Sequence, residues 1–220
     1  MSVKSFEDQR WVSQDQPVEF WHKQALSAIT SGPVLDVGCG VGLLLELLKS
    51  KNIKAIGVDV SSSGLKKSVE KGLDVREHDI EHESLSFEND SFAHVTCLEV
   101  MEHLHHPEQV LKECVRVSNG GVSVSVPNFN SISARIQVLL GKRPENNSPQ
   151  KGHIFWFNKS ILEKMIESSN VEIVSFSGLG YWSKKNSFQR MIGQWLADVC
   201  PSVFALSFFV TLKKRILVQK

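Results

Sequence analysis

The chain has 220 residues, 41% of them hydrophobic, with 25 Lys and Arg against 24 Asp and Glu for a net charge of +1; that is one domain with a full core, and it excludes a disordered chain. The four cysteines, Cys39, Cys97, Cys114 and Cys200, have no paired spacing, which excludes a disulfide framework and marks them as reduced packing residues of a cytosolic, cytoplasmic protein. The near-zero charge hides an asymmetry: residues 1–126 hold 12 basic against 19 acidic residues and residues 127–220 hold 13 against 5, so the second part suits an anionic partner or surface.

Residues 1–30 form a helical segment, with Trp21, Ala25, Ala28 and Ile29 near helical spacing and Trp11 and Phe20 nearby. These aromatics either pack on the domain or act as an N-terminal lid. Glu7, Asp8 and Asp15, without an apolar run, are unlike a signal or transit peptide. From residue 31 to 220 the pattern is a single domain that alternates strand and helix. The strands are expected at Pro33–Asp36, Ile53–Val58, Leu73–Arg76 and Phe92–Leu98, with one irregular turn in the polar stretch Glu81–Asp90. A helix runs through Lys49, and another opens at Ser61–Ser63 and stops at Gly72. Pro107 starts a third helix with Val110, Leu111, Cys114 and Val115 on its apolar face. Gly120-Gly121 is expected to end it, before Val122, Val124 and Val126 alternate as a fifth strand.

Beyond Pro127 the alternation pauses. An insertion near 128–157 carries a short helix around Ile132, Ile136, Leu139 and Leu140; a second insertion spans 178–201. Ser160 and Glu163 have capping-box spacing at the start of a helix with Ile161, Leu162, Met165 and Ile166 inward. Val171–Phe176 and Val203–Leu212 complete the strands. Leu196–Leu212 carries Asp198 and Pro201 and falls short of the ~20 apolar residues of a membrane span. The alternation therefore argues for the α/β class, a doubly wound parallel sheet of seven strands with helices on both faces.

Val34-Leu35-Asp36-Val37-Gly38-Cys39-Gly40-Val41-Gly42 is a buried strand entering a glycine turn ahead of a helix. Glycines let backbone approach a ligand, and the helix N-terminus offers unpaired N–H groups, so this is a nucleotide site. Asp59, 21 residues after Gly38, is placed to accept bonds from ribose hydroxyls. Leu43 occupies the position where a dinucleotide turn has its third glycine. Asp36 would repel a pyrophosphate and attract a cationic amino group, which disfavours a dehydrogenase.

Val34–Gly42, Asp59, Asp79-Ile80 and the end of the fourth strand resemble, in order, the motifs of class I S-adenosylmethionine-dependent methyltransferases. The resemblance implies that Asp36, Gly38, Cys39, Gly40 and Gly42 frame the methionine part. It implies that Asp59, with Val60, binds the ribose, that Asp79 and Ile80 meet the adenine, and that Leu98 and Glu99 line the site. It also implies a Rossmann-like, doubly wound seven-stranded sheet, mostly parallel with one antiparallel strand, and S-adenosylhomocysteine as the product left in the site.

The fourth strand runs into Glu99, Glu102 and His103, at the sheet edge where chemistry collects. His103 suits a general base for an acceptor hydroxyl, with Glu99 and Glu102 beside it. Glu99, Glu102 and His103 with Gly152-His153 also resemble ubiquinone-pathway O-methyltransferases and small-RNA ribose methyltransferases, which implies a divalent metal on Glu99, Glu102, His103 and His153. The base is the preferred reading and the metal the alternative. Residues 127–157 resemble methyltransferases associated with methionine biosynthesis and with glycan or lipid pathways, and Asn128, His153 and Trp156 are candidate acceptor contacts; Phe155 and Phe157 are expected to pack beneath the loop.

The expected activity is methyl transfer to a hydroxyl, or less favourably an amine, of an anionic small-molecule, lipid or glycan acceptor, with peripheral membrane contact compatible with the basic half. Nucleic acid is disfavoured, because no stacking platform or dense Arg and Lys cluster is visible. A non-catalytic adenosylmethionine-binding partner protein is the rival from another class; the acids and histidines on the acceptor side argue for an enzyme.

Overall fold

A computed structural model of the chain describes residues 3–13, 18–144, 151–181 and 186–215. Helices α1 (Val3–Ser13) and α2 (Phe20–Ala28) precede β1 (Val34–Val37), α3 (Leu43–Ser50), β2 (Ala55–Asp59), α4 (Ser62–Glu70), β3 (Val75–Glu77) and β4 (Phe92–Leu98). A 3-10 turn, Met101–His103, leads to α5 (Pro107–Val117), β5 (Ser118–Pro127), α6 (Ile132–Leu139), α7 (Lys159–Glu167), β6 (Val171–Gly180), α8 (Ser187–Val199), α9 (Pro201–Phe204) and β7 (Ala205–Lys214). The seven strands lie in the order β3-β2-β1-β4-β5-β7-β6. Every pairing is parallel except those of β7, which is antiparallel to both β5 and β6. The expected fold class is therefore observed. Strand order reverses between β1 and β4, which places a switch-point crevice at their carboxyl ends.

Strand alternation divides the core into layers. Leu35 and Val37 of β1 pack with Leu111 and Cys114 of α5 and Leu162 and Ile166 of α7. Val34 faces the other way, onto Ala25 of α2 and Leu44 and Leu48 of α3. Asp36 shares that second face and is also buried, so β1 carries one acid in an otherwise apolar strand.

Three local expectations are corrected. The N-terminal segment holds two helices rather than one. Gly120-Gly121 does not stop α5, which ends at Val117; both glycines lie inside β5. They are required there by close approach to β4: a Cβ on Gly120 would stand 2.2 Å from the Ala93 carbonyl oxygen, and one on Gly121 2.7 Å from the His94 ring. The helix expected to be capped by Ser160 is capped two residues earlier, by Asn158, whose side chain accepts from the Ile161 N–H at 2.9 Å. Asp79–Glu83 closes a single turn through a Glu83 N–H bond to the Asp79 carbonyl.

Candidate active site

The carboxyl end of β1 turns on glycines in the left-handed region: Gly38 has φ 75° and Gly40 φ 51°. A Cβ on Gly38 would lie 2.2 Å from Val100 Cγ2, and one on Gly40 2.4 Å from the Trp11 ring. The loop is thus pressed between the segment after β4 and helix α1, and only glycine fits. Gly38 and Cys39 donate to the Val58 carbonyl at 2.8 and 3.1 Å, and Gly40 donates to Asp59 Oδ2 at 2.8 Å, so the end of β2 holds the turn.

This turn forms one wall of a cleft of about 1050 Å³, open mouth included. Asp36, Gly38, Cys39, Asp59, Val60, Asp79, Ile80, Leu98, Glu99 and His103 all line it. Gly40 and Gly42 do not. They stand behind the loop, Gly40 under Trp11 and Gly42 against Ser68 and Leu73, so they shape the wall instead of forming it. Six carboxylates line the cleft (Glu7, Asp36, Asp59, Asp79, Glu81 and Glu99), with no Lys or Arg among the lining residues. A pyrophosphate would meet only repulsion here, whereas the cationic amino and sulfonium groups of S-adenosylmethionine match the field.

Asp36 is the most unusual of these acids. Burial, moderated by the 2.6 Å bond from Thr96 Oγ1 and reinforced by nearby Asp59, pushes its carboxyl up to about 7. Asp59 is fixed at both oxygens, with Oδ1 accepting from the Ser61 N–H at 2.8 Å. Asp79 Oδ1 accepts from the Glu81 N–H at 3.1 Å. Glu99 has φ 56°, an energetically costly conformation for a residue with a Cβ; such strain persists where a site requires it. Its N–H lies 3.1 Å from the Ser125 carbonyl oxygen and equally close to Ser125 Oγ.

Four cleft residues come from the N-terminal helices: Glu7 and Trp11 of α1, Trp21 and His22 of α2. Helix α1 is tied to the cofactor wall by Asp8, which accepts from the Ser63 N–H at 3.0 Å and Ser61 Oγ at 2.8 Å, and by the Lys4–Glu77 ion pair. The segment therefore supplies part of the cleft's lining. His22 is held neutral, its pKa pushed down to about 4 by burial. Sequence reasoning also missed Glu81, whose carboxylate accepts from the backbone N–H groups of His105 and His106 at 2.9 to 3.2 Å. That bond clamps the Asp79-Ile80 loop to the start of α5. Two exposed-looking N–H groups before Pro107 were the only signal for it.

On the acceptor side, Glu102, His103 and His153 converge. Glu102 is fully buried; its Oε1 lies 4.0 Å from His103 Nε2 and 3.8 Å from His153 Nε2. The two imidazoles meet edge to face with centroids 4.9 Å apart. His103 Nδ1 lies 3.2 Å from the Gly152 carbonyl oxygen. A carbonyl only accepts, so the neutral ring carries its proton on Nδ1 and Nε2 is its basic nitrogen. The Ile154 and Phe155 N–H groups donate to the Glu102 carbonyl at 2.9 and 3.0 Å, which joins the 153–155 strand of loop to the turn after β4. Trp156 is exposed and stacks on Phe129, with centroids 5.8 Å apart, and Phe129 touches His153. Phe157 is fully buried and Phe155 packs against it.

Asn128 is corrected. It is fully buried, and its amide donates to the Ala205 carbonyl at 2.8 Å and the Ser202 carbonyl at 3.3 Å, while Oδ1 accepts from the Asn130 N–H at 3.0 Å. It braces the loop after β5 and presents no group to an acceptor. The metal alternative is corrected in membership: among the described residues the ligand atoms that gather within 4.8 Å are those of Glu102, His103 and His153, without Glu99.

The family model for methionine biosynthesis protein MetW matches residues 22–160, most of the segment that builds both halves of this site. The chain belongs to the MetW family. Among curated relatives of this MetW-family chain, the ubiquinone biosynthesis O-methyltransferase of Chromobacterium violaceum is 30% identical over 164 residues, 70% of this chain and 71% of its own. That of Methylococcus capsulatus is 28% identical over 174 residues, 75% and 73% of the two chains. The fold is shared with solved structures. One is magnesium protoporphyrin IX methyltransferase from Synechocystis with bound S-adenosylhomocysteine, at TM-score 0.64 and 14% identity over 97% of this chain and 95% of that one. Another is an S-adenosylmethionine-dependent methyltransferase from Thermotoga maritima, at TM-score 0.64 and 18% identity over 89% and 88%. The MetW-family chain is an S-adenosylmethionine-dependent methyltransferase. No helix among the described residues is long and apolar enough to cross a membrane.

Proposed function

We propose that this enzyme methylates a hydroxyl oxygen of an anionic small-molecule, lipid or glycan acceptor, with His103 as general base. The observation that carries this reading is His103, which lines the cofactor cleft while its ring is held by Gly152 and faces buried Glu102. Bound S-adenosylmethionine supplies a sulfonium methyl group, an electrophile that needs placement more than activation. Asp59 and Asp79 orient the nucleoside end, and Asp36 holds the amino end by charge. His103 Nε2 takes the acceptor hydroxyl proton as the oxygen becomes nucleophilic, and the carboxylate of Glu102 stabilises the imidazolium so formed. The O-methyltransferase names of the curated relatives support oxygen over nitrogen. The basic balance of residues 127–220 supports an anionic acceptor.

The second reading is a divalent cation on Glu102, His103 and His153, which would polarise the hydroxyl as a Lewis acid. Its difficulty is spacing. Ligand atoms around zinc stand about 3.4 Å apart, given bonds of ~2.1 Å in a tetrahedron, whereas Glu102 Oε1 is 3.8 and 4.0 Å from the two histidine nitrogens. The trio would have to draw together. The deciding experiment is transfer of a labelled methyl group to paired acceptors bearing either a hydroxyl or an amine, before and after exhaustive chelation. Label on the hydroxyl acceptor with activity retained after chelation supports the base reading. Loss restored by a divalent ion gives the second reading, and label only on amines overturns both.

A further inference from the structure

Helix α8 carries an apolar stripe on its outer face. Phe188, Met191, Trp195 and Val199 are 66%, 60%, 61% and 65% exposed. At 100° per residue they fall within an arc of about 80°, opposite the buried Gly193 and Ala197. On helix α6, Ile136 and Leu139 are exposed opposite buried Ala134 and Leu140 is exposed just past its end, while Val138 is exposed on the flank nearer Ala134. Single exposed apolar residues need no explanation, but two neighbouring helices with outward stripes do.

Tyr181 links the two helices. Tyr181 Oη donates to Ser133 Oγ at 2.8 Å and accepts from the Ser133 N–H at 3.0 Å, at the start of α6. The Tyr181 carbonyl lies so close to Gly193 of α8 that a Cβ there would stand 2.0 Å away. Both helices follow the carboxyl ends of strands, β5 and β6, which run parallel because each is antiparallel to β7. That is the edge where the glycine turn and Glu99–His103 also lie. Among the described residues the charge around them is mostly basic: Arg135, Lys142, Arg143 and Arg190 are exposed, against Asp198, the one acid within α6 and α8.

We infer that the α6–α8 face docks on an anionic lipid bilayer, with the apolar stripe in the headgroup boundary and the basic residues on lipid phosphates. Trp, Phe, Met and Leu flanked by Arg and Lys are the composition of an interfacial helix, and a cationic rim complements anionic lipid. Docking through these helices brings the carboxyl edge of the sheet, which carries Glu99–His103, toward the membrane. The further step, that the acceptor is drawn from the bilayer, rests on the hydroxyl-acceptor reading above; docking itself does not.

The test is flotation of the full chain with vesicles of phosphatidylcholine alone and with about one-third phosphatidylglycerol. The wild type should float with the anionic vesicles, less so when salt is raised to about 0.5 M. Met191→Ser with Trp195→Ser should lose roughly tenfold or more of that binding. Lys142→Glu with Arg143→Glu should lose the preference for anionic lipid. Calorimetry with S-adenosylhomocysteine should be unchanged in both variants, which shows that the fold and cofactor cleft survive. Failure of the wild type to float, equal flotation on neutral vesicles, or flotation of the Met191/Trp195 variant like wild type overturns the inference. So does a dimer in sedimentation that this variant dissolves, because the face then belongs to a second copy. Failure of the hydroxyl-acceptor reading would appear only in the transfer assay, so the two are separable.

Discussion

The two sides of the catalytic edge are built on opposite principles. The cofactor side, at the ends of β1, β2 and β4, is acidic, buried and held by backbone: Asp59 is pinned by Gly40 and Ser61, and the glycine turn by Val58. The acceptor side, from His103 to α8, is basic in sequence and apolar at its exposed surface, with side chains meeting side chains in its wall. The first side is shaped around one fixed ligand whose cation, ribose and ring each need a fixed partner. The second, in the reading proposed above, meets an acceptor and a membrane surface, and many side-chain sets would serve. Mutations on the two sides should therefore separate cleanly.

The largest separation should come from His103→Ala. Loss of a positioned base typically lowers kcat by about 10²- to 10⁴-fold, while S-adenosylhomocysteine affinity should stay within roughly twofold, since in this reading the cofactor is held by Asp36, Asp59 and Asp79. Stopped-time transfer assays and calorimetry on the same preparation measure both. Equal losses in the two quantities would make His103 part of the cofactor wall. Asp59→Ala should show the converse. Two charge-assisted bonds to ribose hydroxyls, at ~1.5 kcal/mol each, correspond to about 100-fold in affinity, read by titration with S-adenosylhomocysteine, and vesicle flotation should not change.

Asn128→Ala tests where the boundary between scaffold and acceptor surface runs. Removing an amide that serves the Ser202 and Ala205 carbonyls leaves buried acceptors unmet, at about 1–3 kcal/mol. For a domain of this size that lowers Tm by roughly 2–4 °C per kcal/mol, visible by calorimetric melting, with the acceptor KM of the folded enzyme unchanged. A shifted KM without a shifted Tm would return Asn128 to the acceptor site.

The same contrast explains what could be read from sequence. Strand β4, the glycine turn and Asp36, Asp59 and Asp79 were legible because local pattern and ligand chemistry both demand them: an acid inside an apolar strand has few other uses. The Gly120-Gly121 pair misled because glycine marks a helix stop and a close backbone contact alike; the contact, with Ala93 and His94, is long-range. Asn128 misled for a related reason, since a polar residue after a strand reads as available until its partners, some 75 positions away, are known. The Ser160–Glu163 pair fitted a capping box, but Asn158 is the stronger cap and claimed the Ile161 N–H first. The convergence of His153 on Glu102 needed the loop's path, although the histidine itself was already singled out.

The smallest effect expected is also the one that tests the acidic cleft most directly. Asp36 has a folded pKa of about 7 against 3.8 in the unfolded chain, raised chiefly by burial. Its neutral form thus favours the empty fold: this stabilisation is complete below about pH 4 and is lost as pH rises through 7, because the folded protein binds the extra proton in that window. Binding a cationic amino group reverses the preference and requires the ionised form, so binding releases a proton. Affinity for S-adenosylhomocysteine should rise roughly tenfold from pH 5.5 to 7 and then level off, because the ligand amine, next to its own carboxylate, keeps its charge across that window. Calorimetry in buffers of different ionisation enthalpy should show proton release near pH 6. Asp36→Asn should flatten this pH dependence while preserving the Thr96 contact. A wild-type affinity flat across that window would mean that the amino group is held elsewhere along the acidic wall, with Glu99 or Glu7 in place of Asp36.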